Sequence, residues 1–160
     1  MKVILFDLGN TLEHTLSGRD TIMPGALELL SELAVIKDKS GTPPVLALVS
    51  DYQGLSKEYY HLIDGLGFDK FFKPFEQKIT LSNEVGFSKP DSRIFRAAID
   101  KIETDLPYHN VVFVTENKDH ITEARKLGMM AIRFKVINEF GEGVENLPEM
   151  IHLIHLFILT

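Results

Sequence analysis

The stretch "VILFDLGNTLEHT", residues 3–15, decides the fold. Val3 to Phe6 is a short, unbroken apolar run, the pattern of a strand buried on both faces rather than one. Asp7 stops it, and Leu8-Gly9-Asn10 follows, with the Gly and Asn that a tight strand exit favours. On this stretch alone Asp7 is a turn residue as readily as a catalytic carboxylate. A second acid at position 9 would separate the two readings, but Gly9 stands there.

Working outward, similar runs recur at Val45 to Val49, Val111 to Thr115 and Met130 to Phe134, with Ile79 to Ser82 a weaker fifth. Between them apolar residues take helical spacing, as in Ala26, Leu29, Leu30 and Leu33, or Ile94, Phe95, Ala98, Ile99 and Ile102. Pro24 suits a first helical turn, and Gly65, Gly67 and Gly128 follow helical segments. Strands that alternate with helices imply right-handed crossovers, so the sequence predicts a doubly wound α/β domain with a mainly parallel sheet of about five strands covered on both faces. Ligands of such sheets sit outside the carboxyl ends of the strands. That directs attention to Asp7, to Ser50 and Asp51, and to Glu116.

Composition sets the bounds. A chain of 160 residues fits one domain, 1–160, and the 44% hydrophobic and 25% charged residues are those of an ordinary globular protein. Without cysteine there is neither a disulfide nor a thiolate metal site, which suits a cytoplasmic location. A net charge of -6 and the lack of a basic run argue against nucleic acid. No apolar stretch reaches the length of a membrane span. The tail "MIHLIHLFILT" predicts a C-terminal helix within 147–160, docked on the core or serving a homo-oligomer contact.

Three further stretches bear on Asp7. "VLALVSDY" closes an apolar strand with Ser50, "GFSKPDSRIF" sets Lys89 before Pro90 and a helix, and "VVFVTENKDHITEARKLGM" closes another strand with acids. In their order and spacing these resemble the haloacid dehalogenase (HAD) superfamily of phosphatases and related hydrolases, from Lys2 to about Phe134. "DLGNT" is similar to the family's Asp-x-Asp-x-Thr/Val motif, "LVS" to its second, "SKPD" to its Lys-Pro-Asp motif and "TENKDH" to its acidic fourth.

The resemblance implies Mg²⁺-dependent hydrolysis of a phosphomonoester through an aspartyl-phosphate on Asp7. Two anions must meet in such a step, which calls for a hard cation and a lysine. It assigns Asp7 as nucleophile and metal ligand, the Gly9 carbonyl as a ligand, and Ser50 as donor to the phosphoryl group. Lys89 would hold that group against Asp7. Glu116 would be the acidic metal ligand with Asp119 in support, and Asn10 and Asp51 are candidate substrate contacts. The expected partner is a phosphorylated small molecule or a phosphoprotein.

The motifs also depart from the family. Gly9 lacks the acid that protonates the leaving group, a role worth about 10²–10⁴-fold. His14 is a candidate replacement. Glu116 is one methylene longer than the usual Asp, and the later Asp of the motif aligns with His120. These departures carry the alternative: a catalytically impaired HAD-fold protein that binds a phosphorylated ligand or partner in a regulatory role. A dehalogenase reading ranks third.

No cap insertion is visible. Residues 12–23 suffice for a flap hairpin turning at Gly18, and Tyr52 to Ser88 reads as a single crossover. Phe68, Phe71, Phe72 and Phe75 predict a packing cluster, and His152 and His155 predict partly exposed helix positions. Asp51 is also a candidate cap for the next helix. Ile137 to Glu149 is expected to be the mobile segment, with Glu139, Glu142 and Glu145 solvated.

Overall fold

The computed structural model describes residues 1–135 and 143–160, with Leu147 by backbone alone. Its centre is a five-stranded parallel sheet of β1 (Val3–Phe6), β4 (Val45–Ser50), β5 (Ile79–Leu81), β6 (Val111–Thr115) and β7 (Met130–Arg133). The spatial order is β5-β4-β1-β6-β7. In register, Leu5 lies beside Ala47 on one side and Phe113 on the other. The chain runs outward from β1 through β4 to β5, then returns to lay β6 on β1's other side. The order therefore reverses at β1, which puts the residue following it at the ligand crevice.

Alternation along each strand feeds two cores. Ile4, Phe6, Leu46 and Leu48 face α1 (Ala26–Leu33), α2 (Ser56–Gly65) and α8 (Leu147–Leu159). Val3, Leu5, Ala47 and Val49 face α6 (Ser92–Asp100) and α7 (Lys118–Lys126). All of these strand residues are buried, which is why the strands read as continuous apolar runs. Three single-turn helices, α3 (Asp69–Phe72), α4 (Phe75–Lys78) and α5 (Ser82–Val85), bracket β5. Phe68, Phe71 and Phe72 are buried in the first core, and Phe75 stacks on Tyr60, as the packing reading expects.

Residues 12–23 hold an antiparallel hairpin, β2 (Glu13–Leu16) and β3 (Arg19–Ile22), turning through Ser17 and Gly18, both in the left-handed region. Among the described residues no cap domain accompanies it. Pro24 stands ahead of α1 rather than in its first turn, because Gly25, at φ 82°, is the N-cap. His152 and His155 are exposed on α8. Among the described residues no helix is long and apolar enough to cross a membrane.

Part of the segment expected to be mobile, with Glu139 and Glu142, lies outside the described residues. The rest is tied down. Val144 is buried and bridges Phe134, Lys135 pairs with Glu145 at 2.6 Å, and Asn146 caps α8 through the Glu149 N–H. Glu145 is thus an ion-pair partner rather than a merely solvated acid.

Candidate active site

Each strand that ends at the crevice delivers one polar residue. Asp7 continues the ladder of β1 by donating its N–H to the Val114 carbonyl at 2.9 Å, which fixes the carboxylate over the carboxyl edge. Its Oδ1 accepts from the Leu8 N–H at 2.9 Å and from Lys89 Nζ at 2.6 Å. Its Oδ2 accepts from Thr115 Oγ1, the last residue of β6, at 3.0 Å.

Lys89 arrives from the turn before α6 and is held at both ends. Its N–H donates to Asp51 Oδ1 at 2.8 Å, and Nζ donates to the Val49 carbonyl at 3.0 Å as well as to Asp7. Asp51 does not cap the following helix, whose N-cap is Leu55. It anchors the backbone of the lysine turn instead. The following α6 is capped by Asp91, whose carboxylate accepts from the Arg93 N–H at 2.9 Å. Asn10, at φ 55°, is exposed in the turn after Gly9.

Ser50 ends β4 with its Oγ 2.6 Å from the Tyr59 hydroxyl of α2, both buried. Burial raises the Tyr59 phenol above its ordinary value, and the charges of Asp7 and Glu13 add to the effect.

Glu116, just past β6, turns its Oε2 toward Thr11 Oγ1 at 3.1 Å and Thr115 Oγ1 at 3.2 Å. The Thr115 hydroxyl hydrogen is therefore shared between Asp7 and Glu116. Burial first, then the Asp7 charge, pushes the Glu116 carboxyl above the usual carboxylate range. Its backbone carbonyl accepts from Arg133 Nε at 2.9 Å.

Asn117 sets the phase of α7. Its side chain accepts from the N–H groups of Asp119 and His120, at 2.9 and 3.2 Å. The helix then starts with Asp119 exposed and His120 buried. The Asp119 carboxylate has no hydrogen bond or ion pair with the other candidates. His120 Nδ1 is buried with no hydrogen-bond partner among the described residues. Burial, then the Lys89 charge, pulls its imidazole below the ordinary value.

Gly9 leaves space. A Cβ built there meets nothing within 4 Å, and its backbone lies outside the left-handed region. His14 is partly exposed on β2. The flap's more buried acid is Glu13, raised above the carboxylate range by burial and then by Asp20.

The structure thus brings Asp7, Lys89 and Glu116 together, and holds Ser50 near them in the charge field that reaches Tyr59. Sequence reasoning missed Thr115, Thr11 and Tyr59. The Thr at the end of an apolar strand beside an acid was the available signal for Thr115; nothing local marks Tyr59. Chemically, an anchored carboxylate beside a buried ammonium and a hydroxyl can receive a tetrahedral anion.

No protein-family model matches the chain. A 70-residue stretch, 44% of the chain, is 40% identical to drimenol cyclase drtB of Aspergillus calidoustus, but spans only 13% of that protein. Among solved structures, a HAD-superfamily hydrolase from Ehrlichia chaffeensis superposes with a TM-score of 0.72 at 18% identity, covering 99% of each chain. A HAD phosphatase from Thermococcus onnurineus gives 0.71 at 14% identity, covering 96% of this chain and 98% of its own. A HAD hydrolase from Bacillus subtilis, bound to magnesium, gives 0.67 at 19% identity over 83% of this chain and 56% of its own. Dehalogenases are also among the neighbours. At these identities the likeness shows the fold, which is that of the HAD-superfamily hydrolases.

Proposed function

We propose that this chain, with its HAD hydrolase fold, is a phosphomonoester hydrolase working through Asp7 on a phosphorylated small molecule or phosphoprotein. The observation that carries the reading is the buried Lys89–Asp7 contact at 2.6 Å, in which one carboxylate oxygen meets the ammonium and the other is held by Thr115. The Lys89 charge covers the carboxylate now and would cover the phosphoryl oxygens when substrate enters.

The donor set suits a hard cation. Asp7 and Glu116 converge on the Thr115 hydroxyl, and burial, then the Asp7 charge, raises the Glu116 carboxyl, which an oxygen-seeking cation would offset. Among the described residues no cluster of three or more His, Cys, Asp or Glu forms. Asp7, Glu116 and the Gly9 carbonyl would hold Mg²⁺, with water completing the shell, while Asp119 stands exposed at the start of α7. When bound, the cation supplies charge neutralisation between carboxylate and phosphoryl group.

The chain's own residues do the rest. An Asp7 oxygen attacks phosphorus in line, the ester P–O bond breaks, and the leaving oxygen takes its proton from solvent, since Gly9 offers none. Water then attacks the phosphorus of the acyl phosphate, the P–O bond to Asp7 breaks, and phosphate leaves. Ser50 and Lys89 hold the phosphoryl oxygens through both steps.

Gly9 favours a second reading, in which the same site binds a phosphorylated ligand or partner without turning it over. The experiment that separates them is phosphate release from a panel of phosphate esters, with and without Mg²⁺, for the parent and Asp7→Asn. Release that needs both Mg²⁺ and Asp7 supports the hydrolase. A parent that binds phosphate but releases no more than Asp7→Asn supports the binding role.

A further inference from the structure

We propose that Tyr59 is a positioning residue of the candidate site: it donates its hydroxyl hydrogen to Ser50 Oγ and so leaves the Ser50 hydrogen free for the phosphoryl group. The inference rests on the phosphoryl-binding role proposed for Ser50 and deepens it.

The geometry of the pair carries the argument. Ser50 Oγ and Tyr59 OH are 2.6 Å apart, close enough for a good O–H···O bond, and both residues are buried. Two polarities are available. If Ser50 donates, the serine has no hydrogen left for a ligand, and the tyrosine proton has no described acceptor. If Tyr59 donates, its proton is satisfied and Ser50 remains a donor toward the crevice. The phenol is the more acidic of the two hydroxyls and the serine oxygen the better acceptor, so the second polarity is favoured, and it alone keeps a Ser50 hydrogen for a phosphoryl oxygen.

The surroundings reinforce it. Burial first, and then the charges of Asp7 and Glu13, disfavour a tyrosinate. Packing fixes the ring: Tyr59 is 3% exposed, and Tyr52 meets it edge to face at 5.2 Å between centroids. The hydroxyl is therefore presented by a rigid lever from α2, across the first core, to the last residue of β4. A Ser alone can rotate its hydrogen freely; a Ser that already accepts from Tyr59 has that freedom narrowed.

The test is a double-mutant cycle on the full chain, read by calorimetric affinity for inorganic phosphate in the presence of Mg²⁺. Tyr59→Phe is expected to weaken phosphate binding about three- to tenfold, the size of one net neutral hydrogen bond. In the Ser50→Ala background the same change is expected to alter affinity less than about twofold, because the coupling runs through Ser50. Equal losses in both backgrounds would mean that Tyr59 acts by packing alone and would overturn the proposal. So would unchanged affinity of a folded Tyr59→Phe protein.

Infrared spectra of protein labelled with ¹³C at the tyrosine ζ carbon report the polarity directly, with Tyr59→Phe assigning the band. A donor-only signature that changes in Ser50→Ala is expected. An acceptor signature overturns the proposal even if the parent binds no phosphate, a result that would by itself remove only the proposed function.

Discussion

Lys89 Nζ lies 2.6 Å from Asp7 Oδ1, with the two side chains 2% and 12% exposed, which makes this the most enclosed ion pair among those described. Other pairs, such as Lys73–Asp64 or Arg93–Asp91, lie at the surface and contribute little. Removing one partner of an enclosed pair leaves a charge without compensation. Lys89→Met is therefore expected to lower unfolding free energy by about 3 kcal/mol in urea titration. It should also eliminate binding of a phosphate mimic such as tungstate. Adding Asp7→Asn should restore most of the stability and none of the binding. A Lys89→Met protein as stable as the parent would show that the pair is not what holds this edge of the sheet together.

The Thr115 hydroxyl sits between the two carboxylates, 3.0 Å from Asp7 Oδ2 and 3.2 Å from Glu116 Oε2, and accepts from the Asn117 N–H at 3.2 Å. Thr115→Val keeps the shape of the side chain and removes these bonds. We expect a loss of about 1–3 kcal/mol of stability, with Thr115→Ser losing less. Chemical denaturation of the three proteins side by side decides it. A Ser variant less stable than the Val variant would place the effect in the packing of the γ-methyl rather than in the hydroxyl.

Glu116 gives a pH dependence whose sign follows from its raised pKa. Between the ordinary carboxylate value of 4.5 and the higher folded value, the folded state binds more protons than the unfolded one, so stability falls as pH rises through that window. Below it the full contribution is present. Glu116→Gln is thus expected to raise the melting temperature of cation-free protein at pH 7, by about 2–4 °C for each kcal/mol relieved, and to lose that advantage near pH 4. Adding Mg²⁺ should stabilise the parent more than the variant. A variant less stable than the parent at pH 7 would mean that the Thr11 and Thr115 bonds outweigh the repulsion from Asp7.

The strands were legible because each is buried on both faces and so appears as an apolar run, and Asp7 and Lys89 because they end or precede such elements. Partnerships across the chain were not legible. Tyr59 looks like any other helical aromatic, and its bond to Ser50 exists only once α2 packs under β4. Asp51 resembles a helix cap by position, yet α2 starts only after Leu55, and the carboxylate turns to the Lys89 N–H instead. Asp119 and His120 differ by one residue. Which of them faces the sheet is set by where Asn117 starts α7, a helix phase that a motif alignment does not carry.

Gly9 is the last residue whose substitution is informative, and here the expected change is a gain. A Cβ at position 9 has nothing within 4 Å, and the backbone there lies outside the left-handed region, so the Cβ of an Asp enters without a clash. It would stand two residues beyond Asp7, on the side of the turn that bridges to Glu13. An acid so placed can protonate a leaving alcohol and later take a proton from the attacking water, a contribution of about 10²–10⁴-fold where the rest of the site is sound. The turn at Asn10 and the length of Glu116 argue for the low end. We therefore expect Gly9→Asp to raise phosphate-ester turnover at least about tenfold, with KM changed less than kcat, since the effect belongs to the transition state. Steady-state rates of phosphate release by parent, Gly9→Asp and the Asp7→Asn/Gly9→Asp double variant measure it. The double variant should be inactive. A folded, Mg²⁺-binding Gly9→Asp protein no faster than the parent would mean that proton transfer is not the step this site lacks.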